Sequence, residues 1–213
     1  MNFLHPDIDQ YASQNSAPET ALLTELSRET HLKTTMPRML SGHLQGRFLA
    51  MLSALLRAEN ILEIGTFTGY STLCLAEGLS ANGKIYSIDS NDETTSIAKK
   101  YVKLAGLESK IELITGNAME IIPAMQQKFD LVFIDADKEN YSNYYNMIIG
   151  QMKPGGLIVA DNVLWSGKVI EEVKPNDKET NGLIHFTKMV CADDRVSALL
   201  LPVRDGLMLL RVK

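Results

Sequence analysis

Two aspartates stand where apolar runs stop: Asp135 after Leu131–Ile134, and Asp161 after Leu157–Ala160, the second followed at once by Asn162. Short continuous apolar runs read as buried parallel strands, and ligands of open α/β sheets bind outside the carboxyl ends of strands. If the two strands are neighbours, both carboxylates and the Asn162 amide oxygen converge on one cation. Hard oxygen donors of this kind suit Mg²⁺, Mn²⁺ or Ca²⁺ rather than Zn²⁺. The plainer alternative is that the acids cap the helices that follow them. Lys138 lies three residues beyond Asp135, about one turn if a helix begins there, which brings its ammonium to the edge of the same site. A lysine beside a divalent cation can have its proton affinity lowered and act as a general base, whereas most lysines are solvated at the surface. Trp165, the only tryptophan, follows the acids closely and could either wall an aromatic ring or plug the core.

A second constellation lies upstream, in Asn60-Ile-Leu-Glu-Ile-Gly-Thr-Phe-Thr-Gly-Tyr-Ser-Thr72. An apolar strand runs into a glycine-bracketed turn that opens a helix expected over Ser71–Leu79, so backbone N–H groups and a helix N-terminus face one small-molecule pocket. Gly65 and Gly69 are four apart, which is not the G-x-G-x-x-G spacing that seats a pyrophosphate on the backbone. A ligand without a pyrophosphate is favoured. The next strand, Lys84-Ile-Tyr-Ser-Ile-Asp89, ends in an acid 24 residues after Gly65, where a carboxylate can accept both hydroxyls of a ribose. Glu63, inside Ile-Leu-Glu-Ile, is expensive to bury alone; a cationic ligand group or neighbouring backbone N–H groups would satisfy it. An adenosine-type cofactor with a cationic amino-acid tail fits these features together.

Glu63-Ile-Gly-Thr-Phe-Thr-Gly-Tyr-Ser71, Ile134-Asp-Ala-Asp-Lys-Glu-Asn-Tyr141 and Asp161-Asn-Val-Leu-Trp165, with the closing Leu201-Pro-Val-Arg-Asp-Gly206, resemble the cation-dependent O-methyltransferases. This is the family of the caffeoyl-CoA and catechol enzymes, and the likeness runs from about Thr34 to Val212. It implies S-adenosylmethionine as cofactor, held by Glu63, Gly65, Thr66, Ser71, Asp89 and Asp135. Asn117 and Ala118 would meet the adenine edge, and Met39 and Ser41 the methionine part. It further implies a divalent cation, Mg²⁺ first with Mn²⁺ or Ca²⁺ as alternatives, on Asp135, Asp161 and Asn162. Lys138 and Asp135 would be catalytic, and Lys138, Asn162 and Trp165 would meet a catechol acceptor. A homodimer built partly on the N-terminal helices also follows from the resemblance.

The elements that must position these residues repeat along the chain. Strand patterns at Ile85–Ile88, Ile111–Ile114, Leu131–Ile134 and Leu157–Ala160 are separated by segments long enough for crossover helices. Val196–Leu201 and Gly206–Val212, joined by Pro202–Asp205, read as an antiparallel hairpin at the sheet's end. The expected architecture is α/β, and the resemblance makes it a Rossmann-like methyltransferase fold with a seven-stranded, mostly parallel sheet. One domain of 213 residues is expected. Its residues 1–58 would be a helical extension that covers the active site and makes dimer contacts, and 59–213 the cofactor-binding core. Leu22, Leu23, Leu26, Phe48, Leu49, Leu52, Leu55 and Leu56 recur at helical spacing there and should face the core or a partner.

Composition narrows the alternatives. The net charge is 21 − 26 = −5, and no Lys/Arg block exceeds two adjacent residues, which disfavours a nucleic-acid footprint. Bacterial members resembling this family can methylate a hydroxylated wobble uridine in tRNA, so an RNA modifier stays as a rival beside a caffeoyl-CoA enzyme. A nicotinamide-dependent dehydrogenase is disfavoured by the glycine spacing and the terminal hairpin. A non-catalytic cofactor-binding module is disfavoured by the full set Asp135, Lys138, Asp161 and Asn162. Cys74 and Cys191 form no C-x-x-C, no secretory segment is recognised, and the longest apolar runs fall far below a membrane span, so a reduced cytoplasmic chain is expected. The stretch Ser166–Thr180 contains no aromatic residue and more acids than lysines. It favours small free catechols such as caffeic or dihydroxybenzoic acids over the coenzyme A thioester.

Overall fold

The computed structural model describes residues 5–213. By its internal contacts the chain divides into two compact units, one of Asp7–Ala118 and one of Met119–Lys213. Its seven strands, β1 (Asn60–Ile64), β2 (Lys84–Asp89), β3 (Ile111–Thr115), β4 (Phe129–Ile134), β5 (Met152–Ala160), β6 (Val196–Leu201) and β7 (Leu207–Val212), follow the order β3-β2-β1-β4-β5-β7-β6 in one sheet, so the α/β architecture with a closing hairpin is present as expected.

The first unit carries helices α1 (Pro6–Gln14), α2 (Ala21–Lys33) and α3 (His43–Leu56), then β1 (Asn60–Ile64), α4 (Tyr70–Glu77), β2 (Lys84–Asp89), α5 (Asp92–Leu104) and β3 (Ile111–Thr115). The expected boundary at residue 58 falls between α3 and β1, inside this unit. β2 pairs in parallel with both β1 and β3. Ile61, Leu62, Ile64, Ile85 and Ile88 are buried, and each contributes about 1.5–3 kcal/mol by leaving water. α5 shows why its sequence is helical. The Asn91 side chain caps the Glu93 and Thr94 N–H groups, Asp92 and Glu93 sit in the first turn, and Thr95, Ala98, Tyr101 and Val102 form the buried stripe.

α4 begins one residue earlier than expected and ends at Glu77 rather than Leu79. Both ends are set by glycines, with Gly69 in the left-handed region at φ 88° and Gly78 as C-cap. Gly69 also has no room for a side chain, since a Cβ there would lie 3.0 Å from that of Ala98 on α5. The turn is thereby seated on α5. The leucine pattern of the N-terminal helices is only partly inward. Leu23, Leu26 and Leu49 are buried, while Met51 and Leu55 on α3 are exposed.

The second unit holds β4 (Phe129–Ile134), a 3-10 turn at Lys138–Asn140, α7 (Tyr141–Ile148), β5 (Met152–Ala160), α8 (Lys178–Cys191), β6 (Val196–Leu201) and β7 (Leu207–Val212). The short helix α6 (Ala118–Ile121) precedes them. β4 and β5 are parallel, and β7 runs antiparallel to both β5 and β6. Gly182 on α8 packs so closely on the 3-10 turn that a Cβ would meet Glu139 Cα at 2.8 Å and the Lys138 carbonyl at 2.9 Å. No helix among the described residues is long and apolar enough to cross a membrane.

Candidate active site

In the first unit, Glu63, Gly65, Thr66, Ser71 and Asp89 gather at the carboxyl ends of β1 and β2. Gly65, at φ 104°, donates its N–H to the Ile88 carbonyl at 2.9 Å, which carries the ladder one residue past the strand. Asp89 holds the turn beyond it. Its Oδ2 accepts the Phe67 N–H at 2.6 Å and its Oδ1 the Asn91 N–H at 2.8 Å. A carboxylate has about four lone-pair sites, so two remain for hydroxyl donors. Asn117 and Ala118 follow β3, whose end is tied to β2 by the Gly116 N–H on the Asp89 carbonyl.

Glu63 is fully buried, and its partners include two hydroxyls. Thr72 and Ser87 both donate to its Oε2. Ser87 is its register partner on β2, so the two side chains share a face of the sheet. Thr66 Oγ1 lies 2.6 Å from Ser87 Oγ. Because the Ser87 proton goes to Glu63, Thr66 is the donor there. Three buried hydroxyls, two of them directly, thus fix one carboxylate at the end of β1. Ser41 is buried, whereas Met39 is 54 % exposed and does not serve as core packing.

In the second unit, Asp135 and Asp161 follow the register-paired residues Ile134 and Ala160 on adjacent parallel strands. The Asp161 N–H continues that ladder to the Ile134 carbonyl at 2.9 Å. Side chains at paired positions stand side by side about 4.8 Å apart between strands. Asp161 is buried, and its Oδ1 accepts the N–H of Asn162, which is held in the left-handed region at φ 58°. Among the described residues no group of three or more His, Cys, Asp and Glu side chains could hold a metal ion. The expected set therefore stands on two carboxylates and an amide. Its donors are all hard oxygens, so they fit a divalent cation of the Mg²⁺ type.

Lys138 is not a solvated surface lysine. It is 6 % exposed, with Nζ 2.8 Å from Asp135 Oδ1 and 2.8 Å from the Tyr141 hydroxyl. Burial works against its charge, but the Asp135 carboxylate outweighs it, and the pKa is raised above the ordinary lysine value. The lowered proton affinity expected from the sequence is thus absent from the field of these residues alone. The 3-10 turn, in place of the expected regular helix start, folds Lys138 back toward Asp135. Trp165, at φ 47°, is half-buried beside this pair, with Lys138 Nζ 5.8 Å and Lys168 Nζ 5.9 Å from its ring. It flanks the site instead of plugging the core.

Tyr141 was not singled out from the sequence, although it lies one turn beyond Lys138. It is fully buried, and its hydroxyl lies 3.0 Å from the Asp161 carbonyl and 3.3 Å from that of Ile134. Thr72 and Ser87 were also missed. Ser87, the one serine within the apolar run of β2, was the available signal.

The family model described as O-methyltransferase matches residues 13–213. The chain is 34 % identical to a catechol O-methyltransferase of Niastella koreensis, covering 100 % of this chain and 99 % of that one. It is 39 % identical to caffeoyl-CoA O-methyltransferase 2 of Petunia hybrida, over 78 % of this chain and 74 % of the relative. Among solved structures it resembles an O-methyltransferase from Bacillus cereus in complex with SAH, at 33 % identity and a TM-score of 0.90, with 97 % of each chain covered.

Proposed function

This chain belongs to the O-methyltransferase family, and on that premise we propose that it transfers a methyl group from S-adenosylmethionine to one hydroxyl of a catechol-type small molecule, with a divalent cation. The observation that carries the acceptor side is the pairing of Asp135 and Asp161 at neighbouring strand ends, with buried Lys138 on Asp135. Asp135, Asp161 and Asn162 would hold the cation, which supplies Lewis acidity toward a phenolic hydroxyl when bound. S-adenosylmethionine supplies the electrophilic methyl.

The remaining work falls to the chain's own residues. Glu63, Gly65, Thr66, Ser71 and Asp89, with Asn117, Ala118, Met39, Ser41 and Asp135, are the proposed cofactor residues. Asp89 would take the ribose, and Glu63, fixed by Thr72 and Ser87, would balance the cationic tail. Lys138 Nζ is the proposed acceptor for the proton of the attacking hydroxyl. Once Asp135 is engaged elsewhere, burial is what acts on Lys138, and burial favours the neutral amine. Asn162 and Trp165 would line the acceptor, with Trp165 against its ring. Two further parts of the reading are a homodimer using the N-terminal helices, where Met51 and Leu55 are exposed, and a reducing cytoplasmic setting, which two free cysteines suit. The whole chain would act as one methyltransferase domain.

The test is a methyl-transfer screen with Mg²⁺ across free catechols, caffeoyl-CoA and hypomodified tRNA. Turnover of catechols carries the reading; turnover of tRNA alone would overturn it.

A further inference from the structure

We propose that Tyr141 is a positioning residue for the acceptor site: its hydroxyl, fastened to the ends of two strands, sets where Lys138 Nζ stands. This rests on the reading of Lys138 as the proton acceptor. Lysine has four rotatable side-chain bonds, and an ammonium is held in one place only by what it donates to. Lys138 Nζ donates to Asp135 Oδ1 and to Tyr141 Oη, each at 2.8 Å. Asp135 is also a candidate cation ligand, so its carboxylate has a second claim on it. The hydroxyl has no such competitor.

Tyr141 is suited to the task because nothing about it can move cheaply. It is fully buried, and its ring stands edge-on to Phe186 of α8, with centroids 5.6 Å apart and planes at 89°. The single hydroxyl proton is committed to backbone carbonyls, 3.0 Å to Asp161 and 3.3 Å to Ile134, at the two strand ends that also carry the acidic pair. Its lone pairs are therefore left for Lys138. The same strand ends that place Asp135 and Asp161 thus place the lysine, through one phenol.

The experiment is a double-mutant cycle of Tyr141→Phe and Lys138→Ala, assayed on a catechol with saturating cofactor and Mg²⁺. Tyr141→Phe keeps the ring and its contact with Phe186. It should lower kcat at least about 10-fold while KM changes less than about threefold, and it should add no further loss in the Lys138→Ala background. A second readout is independent of turnover. Trp165 is the only tryptophan and lies 5.8 Å from Lys138 Nζ, so releasing the ammonium should change its emission in the single variant and not in the Lys138→Ala background. If Tyr141→Phe does not fold, Phe186→Leu should give a milder fall in kcat, again only while Lys138 is present. Wild-type kcat in Lys138→Ala overturns the base reading and the positioning role with it. Wild-type kcat in Tyr141→Phe beside an impaired Lys138→Ala, or equal losses in both backgrounds, overturns the positioning role alone.

Discussion

The Asp89 carboxylate accepts the backbone N–H of Phe67 at 2.6 Å, across from the end of one strand to the turn that follows its neighbour. Phe67 sits in the left-handed region at φ 50°, a conformation that costs a non-glycine residue about 1 kcal/mol or more. Asp89 therefore holds this turn in shape, and on the proposed reading its remaining lone pairs would take a ribose.

Asp89→Ala should weaken S-adenosylmethionine binding by roughly 1.5–3 kcal/mol, about 10- to 150-fold in Kd, since hydrogen bonds to a charged acceptor are lost. Asp89→Asn, which keeps one acceptor oxygen for Phe67, should lose less. Isothermal calorimetry on both variants measures the difference. Equal and wild-type affinities would move the ribose site away from Asp89.

Metal dependence follows from the donor set at Asp135, Asp161 and Asn162. Excess chelator should abolish turnover, Mg²⁺ or Mn²⁺ should restore it, and cofactor binding should largely survive. Full activity in chelator would leave Asp135 as the counter-ion of Lys138 and nothing more.

Much of this arrangement was legible because strand ends are legible. An acid that stops an apolar run falls at the carboxyl edge of the sheet whatever the side chains around it do, and Asp89, Asp135 and Asp161 were all read that way. What could not be read is which groups satisfy a charge once it is buried. Glu63 takes two hydroxyls, one of them from a strand position 24 residues away, and Lys138 is buried against a phenol one turn on. Those partners depend on strand register and on a 3-10 turn, neither of which hydrophobic periodicity reports. The exposure of Leu55 on a helix whose buried face is Gln45, Gly46, Leu49 and Ser53 is the same lesson in packing. The leucine pattern allowed the core or a partner, and within this chain Leu49 takes the core side while Leu55 is left exposed.

Acid should loosen α2 from α5. Glu29 accepts from Lys100, Lys33 and the Tyr101 hydroxyl, and these bonds hold its pKa at about 2, below the ordinary 4.5. A depressed folded-state pKa gives stability that is present above about pH 4.5 and is lost as pH falls toward 2. Much of the ion-pair gain is screened at the surface, so about 1 kcal/mol is expected. Glu29→Gln should then lower the melting temperature by about 2–4 °C at pH 7. The gap between variant and wild type should close as pH falls through that window, as followed by thermal melts. A gap that stays constant with pH would mean that packing, not charge, ties the helices.

If Lys138 meets the acceptor, as proposed, the charge around Lys138 selects among acceptors. An open cleft of about 370 Å³ is lined by Asp137, Lys138, Glu139, Asn176, Asp177, Lys178 and Glu179, four acids against two lysines. One of those lysines is already ion-paired with Asp135. Phosphates of coenzyme A would meet a net negative wall, and their attraction to lysine or arginine is what normally secures them. Arg47 is engaged in a bidentate pair with Glu77 at 2.6 and 2.7 Å. Small free catechols should accordingly be methylated with kcat/KM at least equal to that of caffeoyl-CoA. Charge reversal at the rim, Glu139→Lys with Glu179→Lys, should raise kcat/KM for the thioester and leave a neutral catechol nearly unchanged, with the gain shrinking as salt screens it. Side-by-side kinetics at fixed Mg²⁺ and ionic strength decide the matter. A strong preference of the wild-type enzyme for the thioester would show that its phosphates are held by other groups than those of this cleft.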